Sequence, residues 1–161
     1  MAAEDIHLKL ESPSVEGDST VKGHEKELAL QSWSFGASQS ASMHEATGGG
    51  KGKSSFGDVQ CFMRADTASV TLLQFLAKGT HIGKGTLIQR KAGDKPLDFV
   101  TLIMEEIIVS NVSLSGSGDE ATVSFALNFA KFEYKFAAQD AKGNKGKEPS
   151  FKYDIAKVDA A

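Results

Sequence analysis

LDFVTLIMEEIIV, Leu97 to Val109, is the stretch on which the fold turns. Strand alternation sends Leu97, Phe99, Ile103 and Ile107 to one side and Val100, Leu102, Met104 and Ile108 to the other. A strand of a lone barrel wets its outer face. A segment apolar on both sides therefore calls for a second burial partner.

The next long segment carries a second irregularity. In VSFALNF, Val123, Phe125, Leu127 and Phe129 share one face, and Phe132, Tyr134 and Phe136 follow on the opposite parity. One extra residue near Ala130 brings all of them to one side, which is the work of a β-bulge in a strand bending around a small barrel.

Working outward, Ile6, Leu8 and Leu10 alternate with His7 and Lys9 as a first strand. Between Glu27 and Gln39, Trp33 and Phe35 oppose Ser32, Ser34, Gly36 and Ser38, so one side is core-like and the other small and polar. Phe56 to Arg64, Thr86 to Lys91, Asn111 to Leu114 and Phe151 to Val158 supply further strands, separated by Gly-, Asp- and Lys-rich turns. Only Asp66 to Lys78 shows helical spacing, with Val70, Leu73 and Ala77 on one set and Leu72 and Leu76 on another. Asp66 or Thr67 can cap its start and Gly79 its end. The local reading is a mainly β fold, an antiparallel barrel or sandwich, with one helix plugging an end or covering an edge. The 161 residues and 40% hydrophobic content suit one domain spanning 1–161.

TGGGKGKSS, Thr47 to Ser55, approaches the phosphate-loop pattern, but Thr47 stands where its first glycine belongs. The residues after Ser54 are strand-like, so no helix N-terminus meets the anion and the stretch reads as a long connecting loop. The other chemical motifs are equally thin. The histidines are scattered without metal-ligand spacing, so no metal or cofactor is expected. Ser34, His44 and Asp58 can be written as a triad, as can many triples in a serine-rich chain, and no nucleophile elbow is present. Glu105 and Glu106 are adjacent in a strand and are expected on opposite faces, which separates their carboxylates. Cys61, the single cysteine, lies in an apolar strand and reads as an inert core thiol. A net charge of −3 disfavours nucleic acid, and neither a membrane-spanning segment nor a cleaved leader is visible.

Several segments, taken in order, resemble one known family. WSFGASQSASMH, Trp33 to His44, followed by Gly48-Gly49-Gly50, is similar to a signature of the haemolysin-coregulated protein (Hcp) family of type VI secretion. LIQRKAG (Leu87 to Gly93), EEIIVSNVSLSGSGDE (Glu105 to Glu120) and Leu127-Asn128-Phe129-Ala130 extend the resemblance along nearly the whole chain. It implies a barrel of two antiparallel sheets with a flanking helix and a long extended loop. It also implies a homo-hexameric ring that stacks into a hollow tube, and a structural and carrier role without catalysis. The implied partners are a valine-glycine-repeat spike protein, a contractile sheath and effector proteins held in the lumen. Such a protein is made in the cytoplasm and then secreted without a cleaved signal peptide. Within a ring of this kind Ser32, Ser34, Gly36 and Ser38 are expected to face the lumen. Ser42, His44, Gly48, Gly49, Gly50, Lys51 and Lys53 would belong to the ring or stacking loop, and Val100, Leu102, Met104 and Ile108 to the protomer interface. The alternatives are a monomeric small-ligand-binding β-barrel with an apolar interior pocket, and a hydrolase acting through Ser34.

Overall fold

The computed structural model describes residues 5–41, 43, 53–92 and 96–158. In chain order the elements are β1 (Ile6–Glu11), β2 (Leu28–Leu30), β3 (Ser32–Ser34), β4 (Ala37–Gln39), β5 (Ser54–Phe56) and β6 (Val59–Arg64). They continue with α1 (Ala68–Lys78), β7 (His81–Lys91), β8 (Leu97–Ser117), β9 (Glu120–Phe136) and β10 (Ser150–Asp154). An antiparallel sheet runs β2-β1-β7-β8-β9-β6-β3, with β10 pairing the other half of β9. Its two edges, β2 and β3, are neighbours in sequence. The intervening Gln31 donates its backbone N–H to the Phe62 carbonyl at 2.8 Å, so one kinked segment carries the chain from β1 to β6 and nearly closes a barrel. The second sheet is the small β4–β5 hairpin.

Alternation within the strands fills the barrel. Leu8, Leu28, Leu87, Leu102, Met104, Ile107 and Leu127 are fully buried in one continuous core, each worth about 1.5–3 kcal/mol in apolar area removed from water. Helix α1 packs against β8 through Ala68 and Leu72. Val70 and Leu73, expected on its apolar face, are exposed; the buried stripe is Ala68, Leu72, Phe75 and Leu76. Asp66, not Thr67, caps the helix by accepting the Ala68 N–H at 2.8 Å. Gly79 closes it in the left-handed conformation with φ 65°.

The change of parity expected near Ala130 is present, but not as a one-strand bulge: it is a matched irregularity of three strands, and the register shifts fall instead between Val109 and Asn111 in β8 and between Gln89 and Arg90 in β7. Gly83, Glu106 and Ala130 occupy the row between Ile82–Ile107–Phe129 and Lys84–Glu105–Lys131. At this row the buried set changes parity in every strand: from Ile82 to Gly85 in β7, from Met104 to Ile107 in β8, and from Phe129 to Phe132 in β9. Both sets enter one core, because a Cβ on Gly85 would lie 2.9 Å from Ile107 and 3.4 Å from Met104 side-chain atoms. Each strand uses one additional residue, so the pairing register on either side of the row is unbroken. Glu106 makes the turn with φ 56°. Backbone groups in the row bond outside the β7–β9 ladder: the Gly83 N–H donates to the Ser12 carbonyl at 2.9 Å, and the Ala130 carbonyl accepts from Ile155 N–H at 2.7 Å.

Two expectations are corrected by this row. Glu105 and Glu106 do not oppose each other across the sheet; both are exposed, because the left-handed Glu106 breaks the alternation. Val100, Leu102 and Met104, expected at a protomer interface, lie in the chain's own core, with Leu102 and Met104 at 0% exposure. Of that group only Ile108 is half-exposed, and the apolar residues pointing out beside it are Phe99 and Ile103.

Glycine substitutions at the two glutamates should separate opposite effects. Glu106→Gly removes a left-handed non-glycine residue and should raise stability by up to about 1 kcal/mol. Glu105→Gly, one residue earlier in regular strand, should cost about 0.5–1 kcal/mol. Urea unfolding at one fixed protein concentration measures both, and equal losses at the two positions would contradict a left-handed Glu106.

Candidate functional site

Ser32 and Ser34 share one face of β3, and Ser38 lies on β4 in the small second sheet. Ser32, Ser34, Gly36 and Ser38 are all exposed, while Trp33 and Phe35 turn inward and are half-buried. Pairing extends the face across the sheet, because Ser32 lies opposite Phe62, Phe62 opposite Ser124 and Ser124 opposite Ser113, a single row over β3, β6, β9 and β8. Ser34 lies opposite Gln60. A shallow depression of about 370 Å³ runs over this surface, lined by Ser32, Ser34, Gln60, Phe62 and Ser124 with Trp33 and Cys61 beneath. Gln60, Phe62, Ser113 and Ser124 did not stand out in the sequence. Their signal was the odd-even partner of the core set: Ser124 lies between Val123 and Phe125.

Trp33 anchors the face from behind, its Nε1–H donating to Gln89 Oε1 at 2.9 Å. Beside it, Trp33, Phe35, Phe56, Phe132, Tyr134 and Phe151 line an apolar surface groove of about 300 Å³. Phe35 meets Phe132 edge-on at 5.3 Å, a favoured aromatic geometry. Buried side chains from all around the barrel form one continuous core cluster.

The extended loop leaves from a defined stem. β4 pairs with β5, and beyond it Lys53 N–H donates to Ser40 Oγ at 2.8 Å. Of the residues assigned to this loop, Lys53 lies on the stem; Ser42, His44, Gly48, Gly49, Gly50 and Lys51 fall outside the described residues.

No catalytic constellation forms among the described residues. Asp58 accepts from Ser110 Oγ at 2.6 Å and from Asn128 Nδ2 at 2.8 Å, which pins the β5–β6 turn onto the β8–β9 pair and employs both carboxylate oxygens away from Ser34. No cluster of His, Cys, Asp and Glu among them could hold a metal ion, and none of their helices is long and apolar enough to cross a membrane. Cys61 is 2% exposed, and burial pushes its thiol up to about 12.

The exposed serines thus lie over a packed barrel, beside Gln60 and Phe62. Comparisons with known proteins give the family. Residues 7–136 match the family described as "Type VI secretion system effector, Hcp". The chain is 35% identical over 150 residues to protein hcp1 of Pseudomonas aeruginosa, covering 91% of each. Its fold superimposes on Hcp1 of Salmonella typhimurium with a TM-score of 0.80 at 27% identity, covering 98% of both chains. It also superimposes on a structure described as a type six secretion system protein with a TM-score of 0.88 at 22% identity, covering 99% and 100%. The chain therefore belongs to the Hcp family of type VI secretion proteins.

The thiol provides a check on the packing beneath the serines. A raised Cys61 stays protonated at pH 8 in the folded chain, and its burial costs stability only as pH rises past about 9, where an unfolded thiol ionises. A disulfide reagent at pH 8 should leave native protein unlabelled and label one thiol per chain in urea. Rapid labelling without denaturant would show that β6 is not covered as described.

Proposed function

We propose that this chain is a structural tube component of the type VI secretion system, assembling as hexameric rings that stack into a hollow conduit and carry effector proteins in the lumen. The observation that carries this reading is the family match over residues 7–136. The serine face adds physical support: Ser32, Ser34 and Ser124 are short, uncharged and exposed, so they line a channel without narrowing it or gripping a passing chain electrostatically. In the ring this face points inward. The outward apolar residues Phe99, Ile103 and Ile108 take the interface role first assigned to Val100, Leu102 and Met104. The β4–β5 hairpin carries the loop, with Ser42, His44, Gly48, Gly49, Gly50, Lys51 and Lys53, toward a neighbouring ring. A valine-glycine-repeat spike protein at the tip and a contractile sheath around the tube complete the partners. The chain is made in the cytoplasm and exported by the same machine. None of these roles involves catalysis, a cofactor, nucleic acid or membrane insertion.

Light scattering on a size-exclusion peak should give a mass near six chains, with annular particles by negative-stain microscopy. A monomer at every concentration would overturn the ring. Ser34→Arg should leave that mass unchanged while weakening retention of a co-purifying effector, because the new side chain projects into the channel. Unaltered retention would remove Ser34 from the lumen. Deleting residues 48–53 should preserve single rings and reduce stacking and secretion; wild-type stacking would argue against the loop as a ring-to-ring contact.

A further inference from the structure

Residues 12–27 run over the outside of β1 and bury His7, which β1 sends away from the barrel interior. His7 is 0% exposed and His24 6%. Their rings stack with centroids 4.2 Å apart and planes 5° from parallel. His24 sits between two groups of opposite charge, its Nδ1 3.0 Å from Glu27 Oε1 and its Nε2 2.9 Å from Arg90 Nη2. A guanidinium has donors only and keeps its charge at any pH a protein meets. The Arg90 contact is therefore a hydrogen bond only when Nε2 offers a lone pair. His24 is neutral in this arrangement, with its proton on Nδ1 and donated to Glu27.

We propose that this contact is an acid-released latch, holding residues 19–27 against the barrel while His24 is neutral and letting them go when it is protonated. A proton on Nε2 sets N–H against N–H across the Arg90 contact, cation against cation. The surrounding charges divide along the same line. On the loop side Glu27 retains its bond to His24. Glu25 stands beside it, its carboxyl held below the usual range by the Gly23 N–H at 2.8 Å, and Lys26 follows. On the barrel side Asp98 of β8 accepts from Arg90 Nε at 3.0 Å, and the Arg90 backbone N–H donates to the Asp5 carbonyl at 2.8 Å. The remaining neighbour is His7 of β1, stacked on the same ring. Each cation thus keeps an anion of its own, and the weak seam is the one between loop and barrel. The far end of the loop has a tether independent of histidine, Thr67 Oγ1 donating to Asp18 Oδ1 at 2.6 Å, so opening is local.

Hydrogen–deuterium exchange tests this without reference to the ring. The N–H groups of His24, Lys26 and Glu27 are hydrogen-bonded within the loop, and their protection, corrected for the intrinsic pH dependence of exchange, reports its opening. Between pH 7.5 and about 5.5, protection in peptides covering 13–28 should fall by about tenfold while β9 peptides stay unchanged. Arg90→Gln should abolish this pH dependence, because an amide can donate to neutral His24 and accept from its protonated form. His24→Gln should abolish it as well, by supplying an acceptor that does not titrate. Equal protection of the wild-type loop at both pH values, or a full drop retained in either variant, would overturn the latch.

Discussion

The shape of the barrel rests on one row of residues at which three neighbouring strands break their alternation together. Gly83, Glu106 and Ala130 lie side by side across β7, β8 and β9, and at their row the core-facing set changes from one parity to the other. A bulge in a single strand would shift its pairing with both neighbours. Matched irregularities in all three leave the register intact and turn the apolar residues above and below the row toward the same interior. Without the match, either Met104 or Ile107 would face water.

The row also organises what lies outside the barrel. Its freed backbone groups take up the Ser12 carbonyl on one side and the Ile155 N–H on the other. The segments after β1 and β10 are thereby docked by the same irregularity that bends the strands. Beyond Ser12 and Val15, which main-chain bonds hold, residues 18–27 are fastened by side chains, through the Thr67–Asp18 bond and the His7–His24–Arg90 cluster. Main-chain bonds set the barrel, and a few polar side chains set its outer cover.

The serine face is the complement of the core. Where Val123, Phe125 and Leu127 go in, Ser124 comes out, and pairing with β6 and β3 aligns it with Phe62 and Ser32. Nothing on this face is poised to react. Asp58 is occupied by Ser110 and Asn128, and Cys61 lies beneath the surface with a thiol that burial holds protonated. The chain's membership of the Hcp family rests on the match over residues 7–136.

The sequence by itself determined the mainly β class, the helix closed by Gly79, the opposition of Trp33 and Phe35 to the serines, and the change of parity near Ala130. All of these rest on the spacing of apolar residues within one segment, which alternation or helical period makes directly readable. The family was legible as well, from ordered segments between Trp33 and Ala130. Tertiary structure alone decided what depends on two segments meeting. Uniform alternation through Leu97 to Val109 does not say which apolar side faces the core, because the left-handed turn at Glu106 that switches the sides is legible only beside Gly83 and Ala130. Val100, Leu102 and Met104 therefore belong to the core and not to an interface. His7 stacks on His24, which Arg90 contacts in turn, from positions 17 and 83 residues along the chain, a proximity that pairing and loop closure create and local pattern does not encode.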